Sequence, residues 1–273
     1  DGVDASIIQS DGKTKYKAVL DRYFEYSKDI YENLTIFRDK IKNSKDLKKF
    51  SKELKLVEKE ITLFHAKVVG EILKKSKVNV DFVGFHGQTI YHNAQENISK
   101  QLGDGKLLSK LTKKTVVYDF RQNDLKKGGE GAPLTPIFHQ MLEKKFNIKP
   151  VSFINIGGIL NRTTIWNDGK LSARDMGPGM CLIDRWIRTN SKKKYDVDGD
   201  IAKSGKVNEI VLDQYWDTFR AYSPNKKSYD TSDFDISFAK GLSLEDGAAT
   251  LTLYTANMFI VNFKTNEKNI FEI

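Results

Sequence analysis

From Lys45 to Lys75, apolar residues recur at intervals of three and four, at Leu47, Phe50, Leu54, Val57, Ile61, Phe64, Val68 and Ile72. That period lays one apolar stripe along a helix, and the lysines and glutamates between are an ordinary solvated face. His65 sits beside the stripe and reads as a packing or surface residue. Shorter apolar runs predict strands at Val3–Ile8, Val78–Phe85, Thr115–Phe120 and Val151–Ile156. The last enters Gly157-Gly158, with Asn161–Trp166 as its hairpin partner. Helices are expected over Leu107–Leu111, Pro136–Lys145, Asn208–Phe219 and Leu244–Phe263, and Leu182, Ile183, Trp186 and Ile187 form the apolar face of another. Phe271-Glu-Ile273 looks like the approach to a further strand. Tyr16–Leu34 is mixed and aromatic, and the pattern assigns it no single element. Pro150 marks the best boundary, giving domains 1–149 and 150–273.

Composition narrows the class. At 39% hydrophobic and 30% charged residues the chain is too apolar for general disorder and can bury a core. No run approaches the ~20 apolar residues of a membrane helix, and the opening Asp1-Gly2-Val3-Asp4 is no signal peptide, so a soluble protein without a membrane partner is expected. A single cysteine, Cys181, excludes an internal disulfide framework and fits a reducing, cytoplasmic compartment. The net charge of +9 raises a nucleic-acid partner. The lysines are interleaved with acids, however, and no zinc finger, RNP-type motif or helix-turn-helix signature is present, so none is expected.

The candidate chemistry gathers around Asp175-Met-Gly-Pro-Gly-Met-Cys-Leu-Ile-Asp184. Glycines at 177 and 179 permit backbone angles other residues avoid, and Pro178 fixes one φ between them. Such a turn can offer backbone N–H groups to an anion at the mouth of a helix. A carboxylate beside an anion site is the pairing that phosphoryl transfer needs. Taken alone, the stretch reads as readily as an acidic residue before a tight turn. His86-Gly87-Gln88-Thr89 leaves a strand at its carboxyl end, where ligands collect in open α/β sheets. Asp119, Arg121 and Asp124 follow the next strand, ahead of Gly128-Gly-Glu-Gly-Ala-Pro-Leu134. That loop is neither a Walker A loop nor a dinucleotide fingerprint, yet its glycines would let a backbone approach a ligand. Arg121 supplies a fork for phosphate or carboxylate, or a surface salt bridge. Tyr195-Asp-Val-Asp-Gly-Asp200 resembles the start of a calcium loop but lacks the glutamate at its twelfth position, and reads as an acidic loop before a helix. No cluster has zinc-site spacing, so no protein-held metal is expected.

Together, Asp1-Gly2-Val3-Asp4-Ala5, Gly84-Phe-His-Gly-Gln-Thr-Ile90, Tyr118-Asp-Phe-Arg121 with Asp124, Gly128–Leu134, Asn155-Ile-Gly-Gly158 with Asn161, Asp175-Met-Gly-Pro-Gly179 and Ser228-Tyr-Asp-Thr-Ser-Asp-Phe-Asp235 resemble the 1,6-anhydro-N-acetylmuramic acid kinase family, in order, from residue 1 to about residue 260. The resemblance implies an α/β chain of the two-lobed actin-like ATPase (ribonuclease H-like) fold. It implies ATP and Mg2+ as cofactors, a small sugar substrate and a homodimer. The implied reaction is water opening the 1,6-anhydro bridge while the freed O6 takes the γ-phosphoryl group, giving N-acetylmuramic acid 6-phosphate in cell-wall recycling. By the same resemblance Asp175 is the general base. Asp1, Gly2, Val3 and Asp4 match the end of a first phosphate loop, and Asn155, Gly157 and Gly158 a second phosphate hairpin, with Gly177 and Gly179 beside it. His86, Gly87, Gln88, Arg121, Glu130, Ala132 and Pro133 fall on the sugar side. The family's loop begins with Gly-Thr-Ser-Leu before Asp1, and its adenosine segment is expected after Ile273, so the chain is expected to be an incomplete copy of the fold. Glu130 stands where the family has glutamine, and Met180 where it has asparagine. Two other readings stay open on sequence: a non-catalytic sugar-binding remnant, and a related kinase for another sugar.

Overall fold

The computed structural model describes residues 2–222, 228–261 and 270–272, with 218–222 and 270–272 described by their backbone alone. The chain divides into two compact units, Asp1–Leu134 and Thr135–Ile273, each with its own buried apolar cluster.

The first unit opens with a hairpin of β1 (Gly2–Ser10) and β2 (Tyr16–Glu25), paired from Gly2↔Glu25 to Ser10↔Tyr16. Asp11 closes it, its Oδ1 accepting the N–H groups of Lys13, Thr14 and Lys15. Tyr16–Leu34 therefore resolves into β2 and the start of α1 (Lys28–Lys40), divided where Ser27 Oγ accepts the Ile30 N–H and caps the helix. The long stripe also divides. α2 (Ser44–Lys49) ends at Phe50, whose φ of −99° and ψ of 20° leave the helix, and α3 (Ser51–Ser76) continues it. The Phe50 ring packs edge-on to Phe37 of α1 at 5.9 Å. Leu54, Val57, Ile61, Val68 and Ile72 are buried, as the period requires.

β3 (Phe82–Phe85), β4 (Gln88–Asn93), β5 (Ile98–Leu102), α4 (Gly105–Thr112), β6 (Thr115–Tyr118) and α5 (Gln122–Lys126) complete this unit. β3 and β6 form a parallel pair, β4 and β5 an antiparallel one. The buried strand expected over Val78–Phe85 is only Phe82–Phe85, and Phe82 is 60% exposed. Among the described residues its one strand partner is β6, so most of its surface has no second layer to cover it.

In the second unit α6 (Pro136–Phe146) packs on the sheet that follows it, which is why the division falls before Thr135 and not at Pro150. β7 (Val151–Ile156), β8 (Ile159–Ile165) and β9 (Leu171–Pro178) run antiparallel. α7 (Cys181–Asn190), α8 (Asp200–Ser204), α9 (Glu209–Tyr222) and α10 (Leu244–Val261) follow, and β10 (Ile270–Glu272) joins parallel to β7, giving the order β10-β7-β8-β9. Ile154, Leu160, Leu182, Ile187, Leu251, Tyr254 and Met258 form the centre of the core between sheet and helices. At about 1.5–3 kcal/mol for each fully buried aliphatic side chain, this layer holds α7 and α10 on the sheet. These mixed α/β units contain, among the described residues, no helix long and apolar enough to cross a membrane.

Candidate active site

Two glycine turns in the second unit are tied together by their backbones. β7 turns into β8 through Gly157-Gly158, and β9 ends in Gly177-Pro178 ahead of Gly179. The Gly179 N–H donates to the Gly158 carbonyl at 3.0 Å, the Met180 N–H to the Gly157 carbonyl at 2.8 Å, and the Cys181 N–H to the Gly158 carbonyl at 3.3 Å. The N–H groups that the Gly-Pro-Gly turn was expected to offer an anion are thus engaged. The peptide linking Gly157 to Gly158 is trans, so the Gly158 N–H points away from the Gly157 carbonyl and from the second turn. Gly179 is required by closeness, since a Cβ there would strike the Gly157 carbonyl oxygen. Gly177 has φ +150°, and a Cβ would also strike the Met258 methyl. Thr255 Oγ1 of α10 donates to the Gly179 carbonyl at 2.9 Å and fixes the turn from behind. Cys181, at the start of α7, is buried, and burial pushes its thiol up to about 12.

Asp175 is a β9 residue and is 7% exposed. The register pairs Asn155 with Asn161 and Asn161 with Asp175, setting three polar side chains in one cross-strand row. The pairing shifts between Leu160 and Asn161, an irregularity of the kind that re-aims side chains near functional sites. Asp175 Oδ2 accepts the backbone N–H of Tyr229 at 2.8 Å. The segment that supplies it is internally capped: Asp230 Oδ1 accepts from the Ser232 N–H and Asp233 Oδ2 from the Asp230 N–H. The burial of a carboxylate requires such donors.

In the first unit, His86, Arg121 and the 128–134 loop come together. Arg121 Nε donates to His86 Nε2 at 3.0 Å, and Arg121 Nη1 to the Gly131 carbonyl at 2.7 Å. His86 Nδ1 lies 2.8 Å from the Gly87 carbonyl, so Nδ1 carries the proton and the bare Nε2 accepts from Arg121. Although His86 keeps much of its surface in solvent, its pKa is lowered, first by desolvation and then by the Arg121 guanidinium. Asp124 holds the loop from inside: its Oδ2 accepts the Gly131 N–H at 2.7 Å and its carbonyl accepts the Gly129 N–H at 2.9 Å. Glu130, Ala132 and Pro133 are half-buried along this loop. Gln88 begins β4 opposite Leu102, and Gly87 lies against the Leu102 carbonyl. Gly2, Val3 and Asp4 are ladder residues of β1, with the Val3 side chain in the core and Asp4 exposed. Asp1 lies outside the described residues.

Among the described residues no group of three His, Cys, Asp or Glu side chains could hold a metal. The calcium-like segment is a cap, Asp196 accepting the N–H groups of Ile201 and Ala202 at 2.9 Å each. An apolar cavity of about 660 Å³ opens beside the glycine turns, lined by Ile154, Ile156, Met180, Thr255 and Phe259 among others. The contact at this site that is invisible to residue-type reasoning is the Tyr229 N–H on Asp175. A main-chain donor has no signature, and only the family resemblance of Ser228–Asp235 pointed to its segment.

The sequence profile of the anhydro-N-acetylmuramic acid kinase family matches residues 1–260. The chain is 54% identical over 260 residues to the anhydro-N-acetylmuramic acid kinase of Pelagibacter ubique, covering 94% of this chain and 69% of that protein. It is 35% identical over 262 residues to the enzyme of that name from Brucella canis, covering 94% and 70%. With the one from Rhizobium johnstonii it shares 37% over 265 residues, covering 95% and 71%. A match along nearly all of the chain makes this chain a member of the anhydro-N-acetylmuramic acid kinase family.

Proposed function

We propose that the protein phosphorylates 1,6-anhydro-N-acetylmuramic acid with ATP, opening the anhydro ring as it does so. The observation that carries this reading is Asp175, a buried carboxylate held by a main-chain donor, at the end of a polar row and next to the paired glycine turns. The carboxylate takes a proton from water. The water oxygen bonds to C1, the C1–O6 bond breaks, and O6 accepts the phosphoryl group. The products are N-acetylmuramic acid 6-phosphate and ADP, with one proton left on Asp175.

ATP supplies the phosphoryl group when bound. The turn at 157–158 suits its phosphates, because Gly158 is exposed and neither glycine carries a side chain that would keep an anion away. Asn155 begins the polar row beside it, and Gly177 and Gly179 act through shape by letting the second turn close on the first. Mg2+ fits as an ion carried by the nucleotide, since it commonly keeps its waters and is held through substrate phosphates. On the sugar side we place His86, Gly87, Gln88, Arg121, Glu130, Ala132 and Pro133, and at the end of a first phosphate loop Asp1, Gly2, Val3 and Asp4. The family resemblance also supports the two-lobed actin-like fold, a cytoplasmic homodimer and no nucleic-acid partner.

The test is incubation with ATP and the anhydro sugar in 18O-water. The expected product is the 6-phosphate carrying one heavy oxygen at C1. Phosphorylation of an ordinary sugar hydroxyl without label would point to the related-kinase reading, and sugar binding without any transfer to the remnant reading.

A further inference from the structure

Arg185 stands on α7, and its guanidinium grips the connector that supplies the Asp175 donor. Nη1 donates to the Phe234 carbonyl at 2.6 Å and Nη2 to the Thr231 carbonyl at 3.0 Å. One planar cation thus holds both ends of the turn Thr231–Asp233. Tyr229, two positions before Thr231, is buried, and its N–H reaches Asp175 Oδ2 at 2.8 Å. Phe234 is buried as well, so the connector is held by packing at its ends and by Arg185 between α7 and its backbone. Charge-assisted bonds from a rigid fork fix direction as well as distance, and a lysine cannot reproduce two diverging donors.

We infer that Arg185 is a positioning residue for the reaction: by pinning the 231–234 turn it keeps the Tyr229 N–H on Asp175 and so holds the carboxylate in its reactive orientation. The inference rests on the reading of Asp175 as the base. Nothing in it requires Arg185 to touch the sugar or the nucleotide. Its loss should therefore slow turnover and leave sugar affinity alone.

The experiment compares Arg185→Met, which keeps the stem, Arg185→Ala, Arg185→Lys and Asp175→Asn, with Asp175→Asn also combined with Arg185→Met, in steady-state kinetics alongside thermal unfolding. Arg185→Met is expected to lower kcat about 10- to 100-fold, the range seen when a group orienting a reacting residue is removed, with KM for the sugar within about twofold. Added guanidinium should restore part of the turnover of Arg185→Ala, and Arg185→Lys should recover little. The double variant Asp175→Asn/Arg185→Met should be no slower than Asp175→Asn alone, since Arg185 acts through Asp175. Unchanged kcat in folded Arg185→Met, or a rise in KM without loss of kcat, overturns the inference. So does a double variant whose losses multiply. If the methionine variant does not fold, the lysine variant and the hydrogen exchange of the Tyr229 amide decide: full protection of that amide in Arg185→Lys overturns it. Full turnover in Asp175→Asn would remove the base reading itself. An inactive Asp175→Asn beside a normal Arg185→Met would remove only the role of Arg185.

Discussion

The two units hold their polar centres in different ways. In the first, Arg121 and Asp124 grip a glycine loop through its main chain, at Gly131 and Gly129, and His86 completes the cluster while much of its surface stays in solvent. The strands around it are two-stranded pairs. In the second, Asp175 is buried in a strand of a four-stranded sheet, and the turns beside it are locked to each other and to α10. A loop held by a few charge-assisted bonds can adjust to a ligand; the backbone that carries a carboxylate in a packed sheet cannot move without breaking the core. On the function proposed above, the adjustable loop suits recognition of the sugar and the fixed carboxylate suits proton transfer.

Asp175→Asn is the sharpest way to break that contrast. It should reduce turnover by about 100- to 10,000-fold, the usual contribution of a general base, while sugar affinity measured by calorimetry stays within about threefold. Lost affinity with retained turnover would reverse the assignment of roles. Next in size, Arg121→Ala should raise KM for the sugar about 10- to 100-fold with a smaller change in kcat, because the 128–134 loop loses its grip on Gly131. Arg121→Lys should be nearly as poor, since an ammonium cannot bond His86 and Gly131 in one plane. In the second unit, Gly179→Ala should destabilise the protein by about 1–3 kcal/mol in denaturant unfolding, the range for forcing an atom into a closed contact. A neutral result would mean that the two turns can separate.

The smallest effect concerns His139 of α6, stacked on Phe153 at 4.7 Å, whose Nδ1 finds no partner among the described residues. Burial pulls its pKa from 6.5 down to about 4. The folded protein therefore keeps the ring neutral at pH values where the unfolded chain takes up a proton. Stability is complete above about pH 6.5 and is lost as the pH falls toward about 4, by roughly 1–2 kcal/mol once solvent screening is allowed for. His139→Phe should flatten that slope while keeping the stack, as unfolding measured across this pH range would show.

Much of this was legible before any coordinates. A period of three and four along α3 buries one face because a helix has no other way to shelter that stripe. The alternation in β1, and the short apolar run of β7 before its glycine turn, likewise follow from local backbone preference. The residues that make up the Asp175 turn, the Arg121 loop and the Ser228–Asp235 connector carry the family in their order along the chain. Tertiary structure alone decided the rest. It broke the long helix at Phe50, where the ring meets Phe37 of another helix, and it gave α6 to the second unit, where it packs on β8 and β9. It turned the N–H groups of Gly179 and Met180 inward onto Gly157 and Gly158. It also brought the Tyr229 amide to Asp175 and Arg185 to the carbonyls that steady it. Main-chain donors and acceptors are the same at every position, so a sequence can name the carboxylate but not the amide that will hold it.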